Sequence, residues 1–270
     1  MSGGTGRRVR LVLVGFGAIG GTVARMLVER GASVDLVGIA LRRGPRSGLP
    51  VGVPVLTDPA DLATTGADLV VEAAGREAVA PWGGAALAAG MDFAVSSTSA
   101  FAGTDLLAEL TEAARASGAQ LIVPPGALGG IDALSAAARM GLEEVTHRIV
   151  KPPQAWAGTE AESLCDLDAL TAPATFFEGS AAEAAARFPQ NANVALIAAL
   201  AGLGPAGTRV ALVADPAATA NRHDLTARGG FGAMHMRVEN AALPGNPKSS
   251  ALTALSLVRL IENRAAPVVI

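Results

Sequence analysis

The run Gly15-Phe16-Gly17-Ala18-Ile19-Gly20 constrains this chain more than any other feature. It fits G-x-G-x-x-G, and its surroundings give the pattern weight. Before it, residues 9–14 are an unbroken apolar, largely β-branched run, suited to a central strand covered on both faces of a parallel sheet. After it, residues 18–30 carry Ile19, Val23, Met26 and Leu27 at helical spacing, and Gly31 stands where a helix stop belongs. In such a strand–turn–helix unit Gly15 allows the tight turn, Gly17 lets the backbone approach a pyrophosphate, and Gly20 lets helix and strand pack closely. The free N–H groups and positive dipole end of the helix, opening at Ala18 and Ile19, face the phosphates. The motif therefore predicts dinucleotide binding, with a purely structural turn as the alternative.

The pattern continues with strands expected at 34–40, 68–72, 92–95 and 120–123 and helices near 79–89 and 106–117. Strands alternating with helices imply βαβ units and a parallel sheet, an α/β fold of the Rossmann type. After Pro124-Pro125-Gly126 the texture changes. A helix at 131–140, strands near 146–150 and 209–214, and the alternation of Met234, Met236 and Val238 with His235, Arg237 and Glu239 predict an α+β domain with a half-wet sheet. A helix at 249–263 follows. The expected division is a Rossmann domain over 1–126, completed by a C-terminal helix in 241–270, and an α+β catalytic and oligomerisation domain over 127–240.

Composition narrows the function classes. Of 270 residues, 50% are hydrophobic and 17% charged, which excludes a disordered chain. With 21 Lys and Arg against 24 Asp and Glu, there is no basic field for a polyanion, so nucleic acid is not an expected partner. One cysteine, Cys165, forms no intrachain disulfide and suits a reducing compartment. No His/Cys/Asp cluster has metal-ligand spacing. The apolar run behind the basic start is too short for a signal-peptide core, and the uncharged stretch 191–208 is broken by Gly202, Gly204 and Pro205, so neither a leader nor a membrane span is expected. The expected address is cytoplasmic.

An NAD site usually ends its second strand in an acid that holds the ribose hydroxyls. Here that position reads Ala40-Leu41-Arg42-Arg43, with Arg46 nearby. Arg42 and Arg43 suit a 2′-phosphate, which predicts NADP use at least equal to NAD; a solvated charge run on a loop is the other reading. Three histidines compete for a catalytic role. His147 shares a strand face with Val145 and Ile149 and reads as a hydrogen-bonded, half-buried residue. His235 falls on a polar strand face. His223 follows a strand and the loop 215–221, a place where catalytic groups often sit.

Taken in order, these segments resemble the L-aspartate dehydrogenases: the glycine fingerprint; Ser96-Ser97-Thr98-Ser99-Ala100-Phe101-Ala102; Pro125-Gly126-Ala127-Leu128-Gly129-Gly130-Ile131-Asp132; Lys151-Pro152-Pro153; Phe177-Glu178-Gly179-Ser180; Phe188-Pro189-Gln190-Asn191-Ala192-Asn193-Val194-Ala195; Ala214-Asp215-Pro216; and Asn246-Pro247-Lys248-Ser249-Ser250. The resemblance implies NAD(P)-dependent oxidation of L-aspartate to iminoaspartate, a Rossmann domain joined to an α+β domain, and a homodimer formed through the latter. It places His223 at the family's catalytic histidine and Ala127 and Asn193 at nicotinamide-nucleotide contacts, although Asn193 also suits the N-cap of a helix at 194–203. Ser97, Thr98, Lys151 and Lys248, near predicted element ends, become candidates for the substrate carboxylates. The arginines after the second strand depart from the acid that many relatives carry. Two other readings remain: a Rossmann reductase of another small dicarboxylate or imine, such as a dihydrodipicolinate-reductase-like enzyme, and a dinucleotide-binding protein without catalysis.

Overall fold

The computed structural model describes residues 8–42, 48–189, 192–244 and 246–270. They form two compact units, one comprising the chain up to Pro124 together with Thr253–Ile270, the other Pro125–Leu252. Among the described residues no helix is long and apolar enough to cross a membrane.

In the first unit, β1 (Val9–Val14), β2 (Val34–Ala40), β3 (Val55–Leu56), β4 (Leu69–Glu72), β5 (Asp92–Val95) and β6 (Leu121–Ile122) form one sheet in the order β3-β2-β1-β4-β5-β6. Every pairing in it is parallel. This is the doubly wound dinucleotide-binding order, with β1 central because its Leu11, Val12, Leu13 and Val14 are buried on both faces. Helices α1 (Ala18–Glu29), α2 (Leu62–Thr65), α3 (Arg76–Ala88) and α4 (Leu106–Ser117) make the crossovers. Helix α1 buries Gly20, Val23, Ala24 and Leu27, and Gly31 turns the chain away with φ +62°. Helix α3 starts three residues earlier than its apolar spacing indicates, since Gly75 at φ 140° already turns the backbone there.

The second unit opens with α5 (Ile131–Ala137), which tightens to a 3₁₀ turn through Met140 before Gly141 releases it. Strand β7 (Leu142–Lys151) is longer than its apolar core suggested, and a 3₁₀ turn at Pro153–Trp156, α6 (Ala161–Leu164), β8 (Ala174–Ser180), α7 (Ala181–Arg187), α8 (Ala192–Ala201) and α9 (Gly204–Gly207) follow. Then come β9 (Arg209–Ala214), β10 (Asn221–Gly229), β11 (Gly232–Asn240), β12 (Ala242–Leu243), β13 (Asn246–Ser250) and α10 (Ala251–Asn263). A five-stranded sheet runs β11-β10-β7-β9-β8, antiparallel except where β7 pairs with β9. Ile149, Val210 and Leu212 of this sheet share a core with Trp156, Phe177, Phe188 and the alanines of α7 and α8. Strand β11 lies at the edge with the expected alternation, Met234, Met236 and Val238 half-buried and His235, Arg237 and Glu239 exposed.

Residues 241–252, expected to return to the first unit, group with the second. The reason is local. The Asn240 amide donates to the Ala127 carbonyl at 2.9 Å and accepts from the Ser250 hydroxyl at 2.7 Å, tying the β12–β13 hairpin down before α10 begins. From Thr253 onward the chain belongs to the first unit, where Glu262 pairs with Arg30 at 2.6 Å and Arg264 with Asp92 at 2.8 Å.

Candidate active site

The glycine turn has the geometry a pyrophosphate needs. Gly15 sits at φ +97°, and a Cβ there would lie 2.7 Å from the Ala74 Cα. A Cβ on Gly20 would lie 2.2 Å from the Gly15 carbonyl oxygen, so helix and turn close up only without one. Gly17, by contrast, has nothing within 4 Å of its missing Cβ and is exposed, and it precedes a helix whose N-cap position has no side-chain capping bond. Ala18 and Ile19 open that first turn. The turn is closed beneath and open above the helix N-terminus, which fits a dinucleotide phosphate.

Arg42 follows β2 directly and is exposed, its guanidinium 3.9 Å from Glu77 in the first turn of α3. Arg43 and Arg46 lie outside the described residues, as does the side chain of Lys248.

Sequence reasoning missed the part played by Glu72. This fully buried carboxylate at the end of β4 accepts from the backbone N–H groups of Ala74 (2.7 Å), Gly75 (2.8 Å), Ser96 (3.2 Å) and Ser97 (2.9 Å), and from the Ser97 hydroxyl (2.9 Å). A buried charge is tolerable when its lone pairs are filled this way. It knits the turns after β4 and β5 together at the carboxyl ends of the strands, where open α/β sheets bind ligands. Ser97 is thereby engaged within the scaffold, and Thr98 is wholly buried in a 3₁₀ turn. The legible signal was an acid ending three buried apolar positions, Leu69-Val70-Val71.

In the second unit, the period of two places Val145, His147, Ile149 and Lys151 on one face of β7. His223 lies within β10, not on the loop before it as its sequence position suggested, because pairing with β7 starts at Arg222. It stands opposite Ile149 and Leu225 opposite His147, so the two histidines meet diagonally. His147 Nε2 and His223 Nδ1 are 3.2 Å apart. His147 is therefore fully buried, beyond the half-burial expected for it.

Burial lowers the pKa of His147 to about 4, against a smaller opposing pull from Asp224. His223 is held well below the ordinary imidazole value, by burial first and then by His147 and Lys151. Burial likewise lowers the Lys151 amine to about 8; its Nζ lies 4.9 Å over the Trp156 ring, whose Nε1 donates to the Val213 carbonyl at 3.0 Å. Asp224, on the opposite face, is engaged with Arg237 at 2.5 Å and Arg222 at 3.2 Å.

Ala127 is buried and its carbonyl accepts from Asn240. Asn193 falls inside the first turn of α8, which begins at Ala192, so it is not the cap of a helix starting at 194. The structure thus brings His223, His147 and Lys151 together in the second unit, and the glycines, Arg42 and Ser97 belong to the first.

A doubly wound sheet with this turn, in a chain whose second unit carries buried neutral imidazoles, defines a nicotinamide-dinucleotide-dependent oxidoreductase. Residues 15–124 match the NAD-binding domain model of homoserine dehydrogenase, and residues 132–264 match the C-terminal domain model of aspartate dehydrogenase. The chain is 58% identical to the L-aspartate dehydrogenase of Brucella anthropi over 96% of its own length and 98% of the relative's. It is 43% identical to that of Ruegeria pomeroyi, over 97% and 95%. The solved aspartate dehydrogenase of Thermotoga maritima superposes with a TM-score of 0.78 at 29% identity, covering 98% of this chain and 100% of that one. The chain belongs to the aspartate dehydrogenase family.

Gly20→Ala tests the turn. The added methyl forces the Gly15 carbonyl to move, so the dinucleotide dissociation constant should rise at least about tenfold, a loss of roughly 1.4 kcal/mol, as read by fluorescence titration of the reduced cofactor.

Proposed function

We propose that this protein oxidises L-aspartate to iminoaspartate with NAD or NADP, and runs in reverse as a reductive amination. The observation that carries the reading is His223, a buried imidazole kept neutral at physiological pH and 3.2 Å from a second imidazole. Its place in a chain so similar to L-aspartate dehydrogenases supports the substrate. Bound nicotinamide supplies the hydride acceptor. Hydride leaves the substrate Cα only as the nitrogen lone pair forms the C=N bond, so the ammonium of aspartate must first lose a proton. His223 accepts that proton at Nε2 and returns it in the amination direction. Lys151 offers a cation to a substrate carboxylate, and Ala127 and Asn193 are proposed as nicotinamide-nucleotide contacts. Ser97 and Thr98 serve the substrate through the turn that they and Glu72 build; Lys248 is proposed as a second carboxylate contact.

The domain assignment proposed with this function is a dinucleotide-binding first unit and a second unit that is both catalytic and oligomerising. A homodimer and a cytoplasmic location go with it, the latter supported by the single cysteine. Following nicotinamide absorbance with L-aspartate, D-aspartate, glutamate and alanine tests the substrate, and only L-aspartate should turn over well. His223→Ala should lower kcat by about 10²–10⁴-fold, the usual worth of a general base, with dinucleotide affinity unchanged; full turnover removes His223 from the chemistry.

Arg42 supports NADP use, since its exposed guanidinium stands where an NAD site has an acid. kcat/KM with NADP should equal or exceed that with NAD, and Arg42→Ala should cost NADP about tenfold while sparing NAD. A wild type far faster with NAD ends that reading.

The pH dependence follows from Lys151. Its pKa is lowered to about 8, so the amine is charged below that pH and neutral above it. Carboxylate affinity is present on the acid side and lost on the alkaline side. KM for L-aspartate should therefore climb above pH 8, and Lys151→Met should show a raised KM that no longer responds to pH in that range.

A further inference from the structure

We propose that His147 is a positioning residue for the reaction: its Nε2 accepts a hydrogen bond from the Nδ1–H of His223, leaving Nε2 of His223 as the only nitrogen of that ring that exchanges a proton with substrate. The inference rests on His223 being the base.

The argument is a count of protons. Two neutral imidazoles carry two ring protons, and the 3.2 Å contact between His147 Nε2 and His223 Nδ1 holds one of them. If His147 is the donor, the second proton sits on Nε2 of His223, and that nitrogen has no lone pair with which to accept. If His223 is the donor, the second proton sits on Nδ1 of His147 and Nε2 of His223 is a base. Catalysis requires the second arrangement.

The surroundings of His147 are compatible with that arrangement. Its side chain is wholly buried, and its Nδ1 has no hydrogen-bond partner among the described residues. With no group to exchange with, the Nδ1 proton stays in place while His223 cycles. Buried N–H groups without an acceptor are rare in folded proteins, and one that persists invites a functional account. Here the stranded proton fixes the tautomer of the neighbouring ring. Burial also keeps His147 neutral near pH 7, with Lys151 on the same strand and Asp224 on β10 the charged groups that act on the pair. His147 is thus an acceptor in both halves of the cycle. When the substrate N–H bond breaks, its electron pair stays on nitrogen and the proton bonds to Nε2 of His223, while Nδ1–H remains on His223 throughout. In serine-protease triads a carboxylate plays this orienting part; here a neutral ring does.

Three measurements on the full-length protein test this. Nitrogen NMR of ¹⁵N-histidine-labelled wild type near pH 7, assigned with single-histidine variants, should find His223 protonated at Nδ1 and bare at Nε2; the opposite tautomer overturns the proposal without reference to activity. His147→Leu should lower kcat on the order of 10–100-fold, by analogy with the loss of a metal-bound histidine's orienting partner, while KM for L-aspartate and dinucleotide affinity change less than about twofold. His147→Gln, whose amide oxygen reaches the place of the imidazole Nε2, should recover most of that loss. Wild-type kcat in a folded His147→Leu variant, or a folded His147→Gln variant no better than it, overturns the proposal. If His147→Leu does not fold, the NMR tautomer and the His147→Gln variant decide. The two readings fail separately: an active His223→Ala removes the base itself, whereas an inactive His223→Ala beside a fully active His147→Leu removes only the positioning role.

Discussion

Two imidazoles within 3.2 Å of each other, both buried, set the terms for the second unit. Charging either ring would strip an imidazolium of water in a buried site. Asp224, whose charge acts on His147, lies on the opposite face of β10 and is claimed by Arg222 and Arg237. Neutrality is thus imposed by dryness, and dryness by the helices behind the sheet. Alanines of α7 and α8 let those helices lie close to β7 and β9, with Trp156 and Phe188 filling the space that remains. Packing and proton chemistry are one design here, since a looser core would admit water and let the rings charge.

The first unit solves the opposite problem. Glu72 is as inaccessible as His147, but its side-chain oxygens are surrounded by hydrogen-bond donors. Four of its five donors are backbone N–H groups, so it organises turns through their main chain. Because Ala73 and Ala74 of the same turn press on Gly15, the carboxylate also supports the shape of the dinucleotide loop from below.

How much of this was legible in the sequence depends on the range of the interaction. The parallel sheet and the glycine turn follow from local patterns, because a strand buried on both faces and a helix with one apolar stripe each announce themselves within a dozen residues; the order of the strands does not. Strand β8 escaped notice because its half-buried sequence, with Gly179 and Ser180 at its end, lacks both a clean alternation and an apolar run. His147 was correctly placed on an inward face, yet its partner lies 76 positions away and becomes visible only with the register of β7 against β10. Glu72 was hidden for the same reason, since two of its donor residues come from beyond β5. A carboxylate that looks like the end of a strand acquires its meaning from a loop 24 residues on.

The depression of both His223 and Lys151 has a common physical origin, and on the reading proposed above a substrate carboxylate beside Lys151 opposes it for both. Burial is the first cause in each case, and for His223 the neighbouring amine adds to it. On that reading, a carboxylate arriving beside Lys151 adds negative charge to a buried site, which strengthens the hold on the ammonium proton and offsets the repulsion felt by the imidazole. With its ammonium in place L-aspartate carries one net negative charge, and an amino acid with a single carboxylate carries none. The proposed carboxylate contact would therefore favour a dicarboxylate through the proton affinity of the site as well as through direct binding.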